Sequence, residues 1–376
     1  MIICFIIEYY PPHIGGGETL FKTLVEGLVK HGHQCDVITC MLTGTEKYEV
    51  KNGVNIHRVK VPGFADRYWF TFLAIYKSIK ITRGADIIHT MTYNGAFPAW
   101  LASKVNRKPI VILPHEVLGK KWYTFGFNRL SAILYRLFEW FVLSLKYNIY
   151  ICNSKNTMKA LKGWGIPVKK LHLIYPGIDY NLFDYRKEEK RQEIREKLGI
   201  RNNTFVYMYH GRPGMIKGVE YLVRAVPEIK RRIQNSKLLL ILAKKPVVKY
   251  REIIEIIQKE NLDVILIDPL PHEELPYYIA ASDCVVVPSL HEGFGFTCVE
   301  ACTMKKPVVA TNVGSLPEVI SGRYILVEPK NPEELAIGVE KIYNGKYVST
   351  EVKTFSWEDT INSHMELYRK VLNESA

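Results

Sequence analysis

The chain lacks most of the signals that would place it quickly in a class. Its seven cysteines (4, 35, 40, 152, 284, 298 and 302) are odd in number, scattered, and form no C-x-x-C pair. That excludes a disulfide framework or a zinc knuckle and fits a reducing compartment. Cys298 and Cys302, four positions apart on one helical face, read as small packed side chains rather than metal ligands. No uncharged run approaches the roughly 20 residues that span a bilayer. The longest apolar segment, 130–145, carries Arg136 and Glu139 inside it. The apolar run 1–7 has no basic lead and stops at Glu8, so it reads as a first parallel strand and not as a signal peptide. There is no G-x-G-x-x-G and no Lys-Ser/Thr pair of a P-loop, which argues against a dinucleotide oxidoreductase and a P-loop enzyme. An Asp-x-Asp pair of the kind that holds a divalent metal on a diphosphate is also missing.

The 376 residues suffice for two domains. Short apolar runs alternate with helical patterns throughout, which is the pattern of parallel α/β units. Strands are expected at 2–7, 35–40, 55–60, 86–90, 109–113, 149–152 and 171–174. A second set is expected at 204–209, 237–242, 263–267, 283–287, 307–310 and 324–327. The turn cluster Tyr175-Pro176-Gly177-Ile178-Asp179 marks the seam. Net charge is +13, and all of the excess falls in residues 1–175. Such a one-sided basic field suits an anionic partner. No nucleic-acid-binding motif accompanies it, so an anionic membrane surface or a lipid phosphate is the better expectation.

The richest stretch is Glu292-Gly293-Phe294-Gly295-Phe296-Thr297-Cys298-Val299-Glu300. It follows the buried strand 283–287 and its breaker Pro288, and it opens a helix, so its glycines sit at a strand-to-helix turn. Backbone N–H groups at a helix start attract anions such as phosphate. Carboxylates accept hydrogen bonds from vicinal hydroxyls, as on ribose or a hexose. The two together suit a sugar nucleotide. Gly15-Gly16-Gly17, between the first strand and the helical pattern 18–30, lets backbone approach a ligand closely. Arg212 and Lys217 follow the strand ending at His210 and together can neutralise a diphosphate. His115 directly follows strand 109–113, at the end of a parallel strand where ligands gather, and His89 also ends a strand.

With Pro11-Pro12-His13-Ile14-Gly15-Gly16-Gly17-Glu18, Gly211-Arg212…Lys217-Gly218, the E-x7-E pair, Gly314-Ser315-Leu316-Pro317-Glu318 and Phe355-Ser356-Trp357-Glu358 in this order, the chain resembles the retaining glycosyltransferases of family 4. The resemblance spans nearly the whole chain. It implies the α/β GT-B fold, with two Rossmann-like parallel-sheet domains facing a cleft. The acceptor-binding domain would be 1–175, with 357–376 packing back on it, and the nucleotide-sugar-binding domain 176–356. It further implies that Arg212 and Lys217 hold the donor diphosphate, Glu300 the ribose and Glu292 the donor sugar. His115 would touch the sugar and the reaction centre. Gly293, Phe294, Gly295 and Phe296 would bring backbone N–H groups to the donor, Gly15–Gly17 would lie over its phosphates, and backbone at Leu270 would meet the base. Glu116, where the family often has Gly or Asp, and Ser315, where it often has Gly, depart from the pattern.

The expected activity is transfer of a hexose from a UDP or GDP sugar to a glycan or lipid-linked acceptor at the cytoplasmic membrane face, with no metal and no other cofactor. A sugar-nucleotide epimerase, a polysaccharide synthase and a non-catalytic nucleotide-sugar or membrane-surface binder remain open. Two aromatic-basic segments bear on the membrane: 64–72 holds Phe64, Tyr68, Trp69, Phe70 and Phe72, and in 126–147 Arg129, Arg136, Trp140 and Tyr147 fall on one helical stripe. Core packing with cations lining an acceptor site explains them equally well.

Overall fold

The computed structural model describes residues 1–13 and 15–375, so Ile14 of the glycine loop lies outside the described residues. The chain divides into two compact units, Met1–Gly177 together with the segment from Phe355 onward, and Ile178–Thr354.

The first unit is built on β1 (Ile2–Ile6), β2 (Gln34–Cys40), β3 (Tyr48–Lys51), β4 (Val54–Val59), β5 (Ile87–Met91), β6 (Ile110–Leu113), β7 (Ile149–Cys152) and β8 (Leu171–Leu173). Their order across the sheet is β3-β4-β2-β1-β5-β6-β7-β8. Every pairing is parallel except β3 with β4. Helices cover both faces, which is why the inner strands are uninterrupted apolar runs such as Ile-Ile-Cys-Phe-Ile. The chain starts in the middle, builds outward through β2 and β4, then returns to add β5 on the other side. The order therefore reverses between β1 and β5.

The second unit repeats this logic with β9 (Phe205–Gly211), β10 (Ser236–Leu242), β11 (Val264–Ile267), β12 (Cys284–Val287), β13 (Val308–Thr311), β14 (Arg323–Val327) and β15 (Val348–Ser349). The order is β11-β10-β9-β12-β13-β14-β15, and only β15 runs antiparallel. Here the reversal lies between β9 and β12. Ligands of open α/β sheets bind beyond the carboxyl ends of the strands at such a reversal. Strands β3 and β15 escape the sequence reading because they are short, largely exposed edges without apolar alternation.

The helix Trp357–Ser375 packs on the first unit. The Thr360 hydroxyl donates to the Tyr175 carbonyl at 2.8 Å, and the Tyr368 hydroxyl lies 2.6 Å from His89 Nδ1. His89 is therefore a core residue sealed under the returning helix. Beside it His364, also buried, donates from Nδ1 to the Thr360 carbonyl. Burial pushes the His364 imidazole down to about 4 against the smaller opposing pull of that hydrogen bond, and burial with His364 nearby lowers His89 as well. Both act with the same sign. A folded value below the unfolded one means that protonation favours unfolding. Stability should be complete above about pH 6.5 and fall as pH drops toward 4, with His364 alone accounting for about 3 kcal/mol. Denaturant midpoints at pH 7 and pH 4.5 check this, and His364→Phe should lose less stability between them than the native chain.

Two further expectations change. Phe70 is fully buried in the first unit's core, and Tyr147 lies buried beyond the end of the helix Arg129–Ser144. Neither belongs to a surface stripe, because the packing of each helix selects which face turns inward. The charge also redistributes. The returning segment brings Glu358, Asp359, Glu366 and Glu374 against Arg369 and Lys370, so the first unit carries +11 and the second +2.

Candidate donor site of the second unit

Two loops flank the reversal between β9 and β12: residues 212–218 after β9 and residues 288–295 after β12. Backbone bonds hold them together, with the Leu290 and His291 N–H groups donating to the Ile216 carbonyl at 2.7 and 3.3 Å. Gly218, at φ 63°, makes that approach possible. A Cβ there would stand 2.1 Å from the Pro288 carbonyl oxygen. The glycine after Lys217 is thus a packing requirement of the joined loops.

Joining them brings Lys217 Nζ to 2.8 Å from Glu292 Oε1, an oxygen that also accepts from the Ser289 hydroxyl at 2.7 Å. Glu292 is buried. Burial by itself would raise its carboxyl, but the Lys217 charge and the hydrogen bonds from Lys217 and Ser289 outweigh that and hold it below the ordinary value. The site therefore presents an ionised, desolvated carboxylate with a lysine ammonium against it. Arg212 is exposed, and its guanidinium has no hydrogen-bond or ion-pair partner among the described residues.

The backbone of Glu292 is clamped from behind. Its carbonyl accepts from the Ser315 N–H at 3.2 Å and the Ser315 hydroxyl at 3.3 Å. Gly314, at φ 57°, lies so close that a Cβ would stand 2.4 Å from the Glu292 carbonyl oxygen and 2.8 Å from its nitrogen. Both obstacles are backbone and cannot rotate away. Gly314→Ala should cost about 3 kcal/mol in stability and displace Glu292. Thermal melting, with the shift produced by nucleotide sugar, measures both effects.

Past Gly293 and Phe294, Gly295 turns the chain at φ 93° into the helix Phe296–Thr303. No side chain caps that helix, leaving its first N–H groups available. One turn on, Glu300 is buried between two histidines: His210 Nε2 lies 3.7 Å from one carboxylate oxygen and His272 Nε2 lies 3.6 Å from the other. They respond oppositely. Glu300 raises His272, overcoming partial burial, whereas burial lowers His210 despite the same carboxylate. His210 ends β9. His272 follows Leu270, a half-buried residue just past the end of β11. Ser289, Ser315, His210 and His272 were not named as site residues from sequence. The strand-end position of His210 was the one usable signal; the others join the site through loops from different strands.

The remaining sequence-named residues lie in the first unit. His115 follows β6, its backbone held by Thr92 and by Asn153, and its Nδ1 is buried without a hydrogen-bond partner. Gly15 precedes the helix Gly16–Lys30, so Gly16 and Gly17 form its first turn and are not a free loop. That helix too has no side-chain cap, and its N–H groups open at the reversal beside β1.

Comparison with known proteins gives a consistent picture. Residues 190–354 match the family described as "Glycosyl transferases group 1", and residues 14–182 match "Glycosyltransferase Family 4". The chain is 29% identical to an uncharacterised glycosyltransferase of Methanocaldococcus jannaschii over 98% of both chains. It is 24% identical to a D-inositol 3-phosphate glycosyltransferase of Corynebacterium glutamicum over 95% of this chain and 92% of that one. Among solved structures, a sucrose-phosphate synthase from Thermosynechococcus elongatus superposes with a TM-score of 0.80 at 22% identity, covering 99% of both chains. Anabaena HepE in complex with UDP-glucose does so with 0.75 at 18% identity, over 98% of this chain and 100% of that one. The fold is that of the GT-B glycosyltransferases.

Proposed function

The chain belongs to the group 1/family 4 glycosyltransferases, and on that basis we propose that it transfers a hexose, with retention of configuration, from a nucleoside diphosphate sugar to a glycan or lipid-linked acceptor. The observation that carries this reading is the Lys217–Glu292 pair, a buried carboxylate and a partly exposed ammonium joined across the sheet reversal. Glu292 is ionised and can accept from sugar hydroxyls, and Glu300 offers the same to the ribose. Lys217 and the unpartnered guanidinium of Arg212 supply positive charge where the diphosphate leaves. The uncapped start of the helix Phe296–Thr303 adds N–H donors. UDP-glucose in the Anabaena neighbour supports a UDP-type donor. His115, with its unpartnered Nδ1, is assigned to the sugar and the reaction centre. Gly15–Gly17 are assigned to the phosphates, and the Leu270 backbone to the base. The seven cysteines are all free and buried, in keeping with a cytoplasmic enzyme.

A thermal-shift screen across UDP, GDP, ADP and their common sugars tests the donor, because a ligand that binds only the native state raises its melting temperature. No shift with any of them at millimolar concentration would remove the nucleotide-sugar reading. The anomeric proton of the product, read by NMR, tests retention. Transfer should also proceed in excess chelator, since Arg212 and Lys217 supply the charge that a metal would otherwise bring. Activity abolished by chelator and restored by one divalent ion would overturn that assignment.

A further inference from the structure

The helix Arg129–Ser144 is turned the wrong way for a soluble surface. Leu130, Ile133, Leu134, Leu137, Trp140 and Phe141 recur at helical spacing and are all exposed, with Leu130, Leu134, Leu137 and Trp140 more than half so. The helix's one acid, Glu139, points the other way into the unit. There it accepts from the Leu118 and Gly119 N–H groups, the Trp122 indole and the Tyr93 hydroxyl, so it fixes the helix with its apolar side outward. Arg129 and Arg136, two turns apart, run along one edge of the apolar stripe.

The stripe continues into grooves. One of about 360 Å³ is lined by Tyr123, Ile133, Arg136, Leu137, Trp140 and Trp164. A second of about 260 Å³ shares Trp140 and Trp164 and carries Lys146 and Lys170. The neighbouring helix Asp66–Leu73 adds exposed Trp69, Phe72 and Leu73, and its Tyr68 lies against Tyr135 of the long helix. Exposed apolar area of this extent, edged by cations, marks an interaction surface.

We propose that this face of the first unit docks on an anionic lipid bilayer, with the helix Arg129–Ser144 lying in the interface and the Trp140–Trp164 grooves receiving acyl chain. Charge selects the occupant. The outer side of the helix Arg129–Ser144 and the two grooves carry Arg129, Arg136, Lys146 and Lys170, and no groove-lining residue is acidic. The one acid of the neighbouring helix, Asp66, accepts from the Tyr9 hydroxyl, and the unit's excess is +11. A second copy of the chain would bring the same cations to meet them, whereas anionic headgroups neutralise them while the apolar stripe leaves water. No helix of the described residues is long and apolar enough to cross a membrane, so this contact would be interfacial.

The test is co-sedimentation of the full chain with vesicles of phosphatidylglycerol and phosphatidylcholine, beside vesicles of phosphatidylcholine alone. The expected result is binding to the anionic vesicles at low salt, at least tenfold weaker on the neutral ones and weaker at high salt. Leu134→Glu with Leu137→Glu should lower the anionic partition at least tenfold with an unchanged melting temperature, because both side chains face solvent in the free protein. Native protein left in the supernatant at low salt overturns the proposal. So does a native dimer, by light scattering, that the double variant converts to monomer, since the stripe then belongs to a second copy. Vesicle binding requires no donor sugar, so it fails or succeeds separately from the transfer reaction.

Discussion

Lys217→Ala should lower turnover by a factor of roughly 100 to 1,000, the range typical for loss of one preorganised charge stabiliser. The substitution removes positive charge where the leaving diphosphate gains negative charge. It also strips a buried, ionised Glu292 of its counter-charge, leaving Ser289 as the remaining named donor to that oxygen. A carboxylate in that position either takes up a proton or destabilises the fold by roughly 3 kcal/mol. Both changes spoil its use as an acceptor of sugar hydroxyls. Lys217→Arg should retain more activity than Lys217→Ala, because charge survives while the point geometry of the ammonium does not. Steady-state turnover and melting temperature, measured together, separate the two losses. Turnover within threefold of the native protein in Lys217→Ala would mean that the diphosphate is neutralised elsewhere.

The second large effect divides the two glutamates. Glu300→Ala should weaken bare nucleoside diphosphate by roughly 10- to 100-fold, the usual worth of hydrogen bonds to a charged acceptor. Glu292→Ala should leave bare nucleotide nearly unchanged and abolish the extra affinity contributed by the sugar. The reason is their separate surroundings. Glu300 sits one turn into the helix Phe296–Thr303, beside residues at the ends of β9 and β11, with a histidine near each oxygen. Glu292 is bound to the β9–β12 loops and to Lys217. Calorimetric titration with the nucleoside diphosphate and with the full sugar nucleotide reads both. Equal losses of bare nucleotide in the two variants would contradict the division.

Strands and site motifs were legible in the sequence for a local reason. A parallel strand buried on both faces is a continuous apolar run, and a strand-to-helix turn that must come close to a ligand or another loop needs glycine, so both leave marks within a few residues. Glu292, Glu300, Arg212 and Lys217 could be named in this way, and Gly218 and Gly295 prove to be spaced by backbone geometry. Ser289 and Ser315 could not, since a serine that donates to a carboxylate or a backbone carbonyl looks like any loop serine until its partner arrives from another strand. The same holds for His272, which reaches Glu300 across the ends of different strands.

The sequence by itself determined the alternating α/β order, the two parallel sheets and the loops that carry the charged site, because these follow from short-range periodicity and backbone freedom. Only the tertiary structure decided which side of each helix faces water. Phe70 goes inward although its neighbours Trp69 and Phe72 do not, and Leu130, Leu134 and Leu137 go outward although their spacing would suit a core. Amphipathic spacing defines a stripe on a helix but carries no information about what lies against it. That is set by long-range contacts such as the four hydrogen bonds gathered by the buried Glu139 carboxylate.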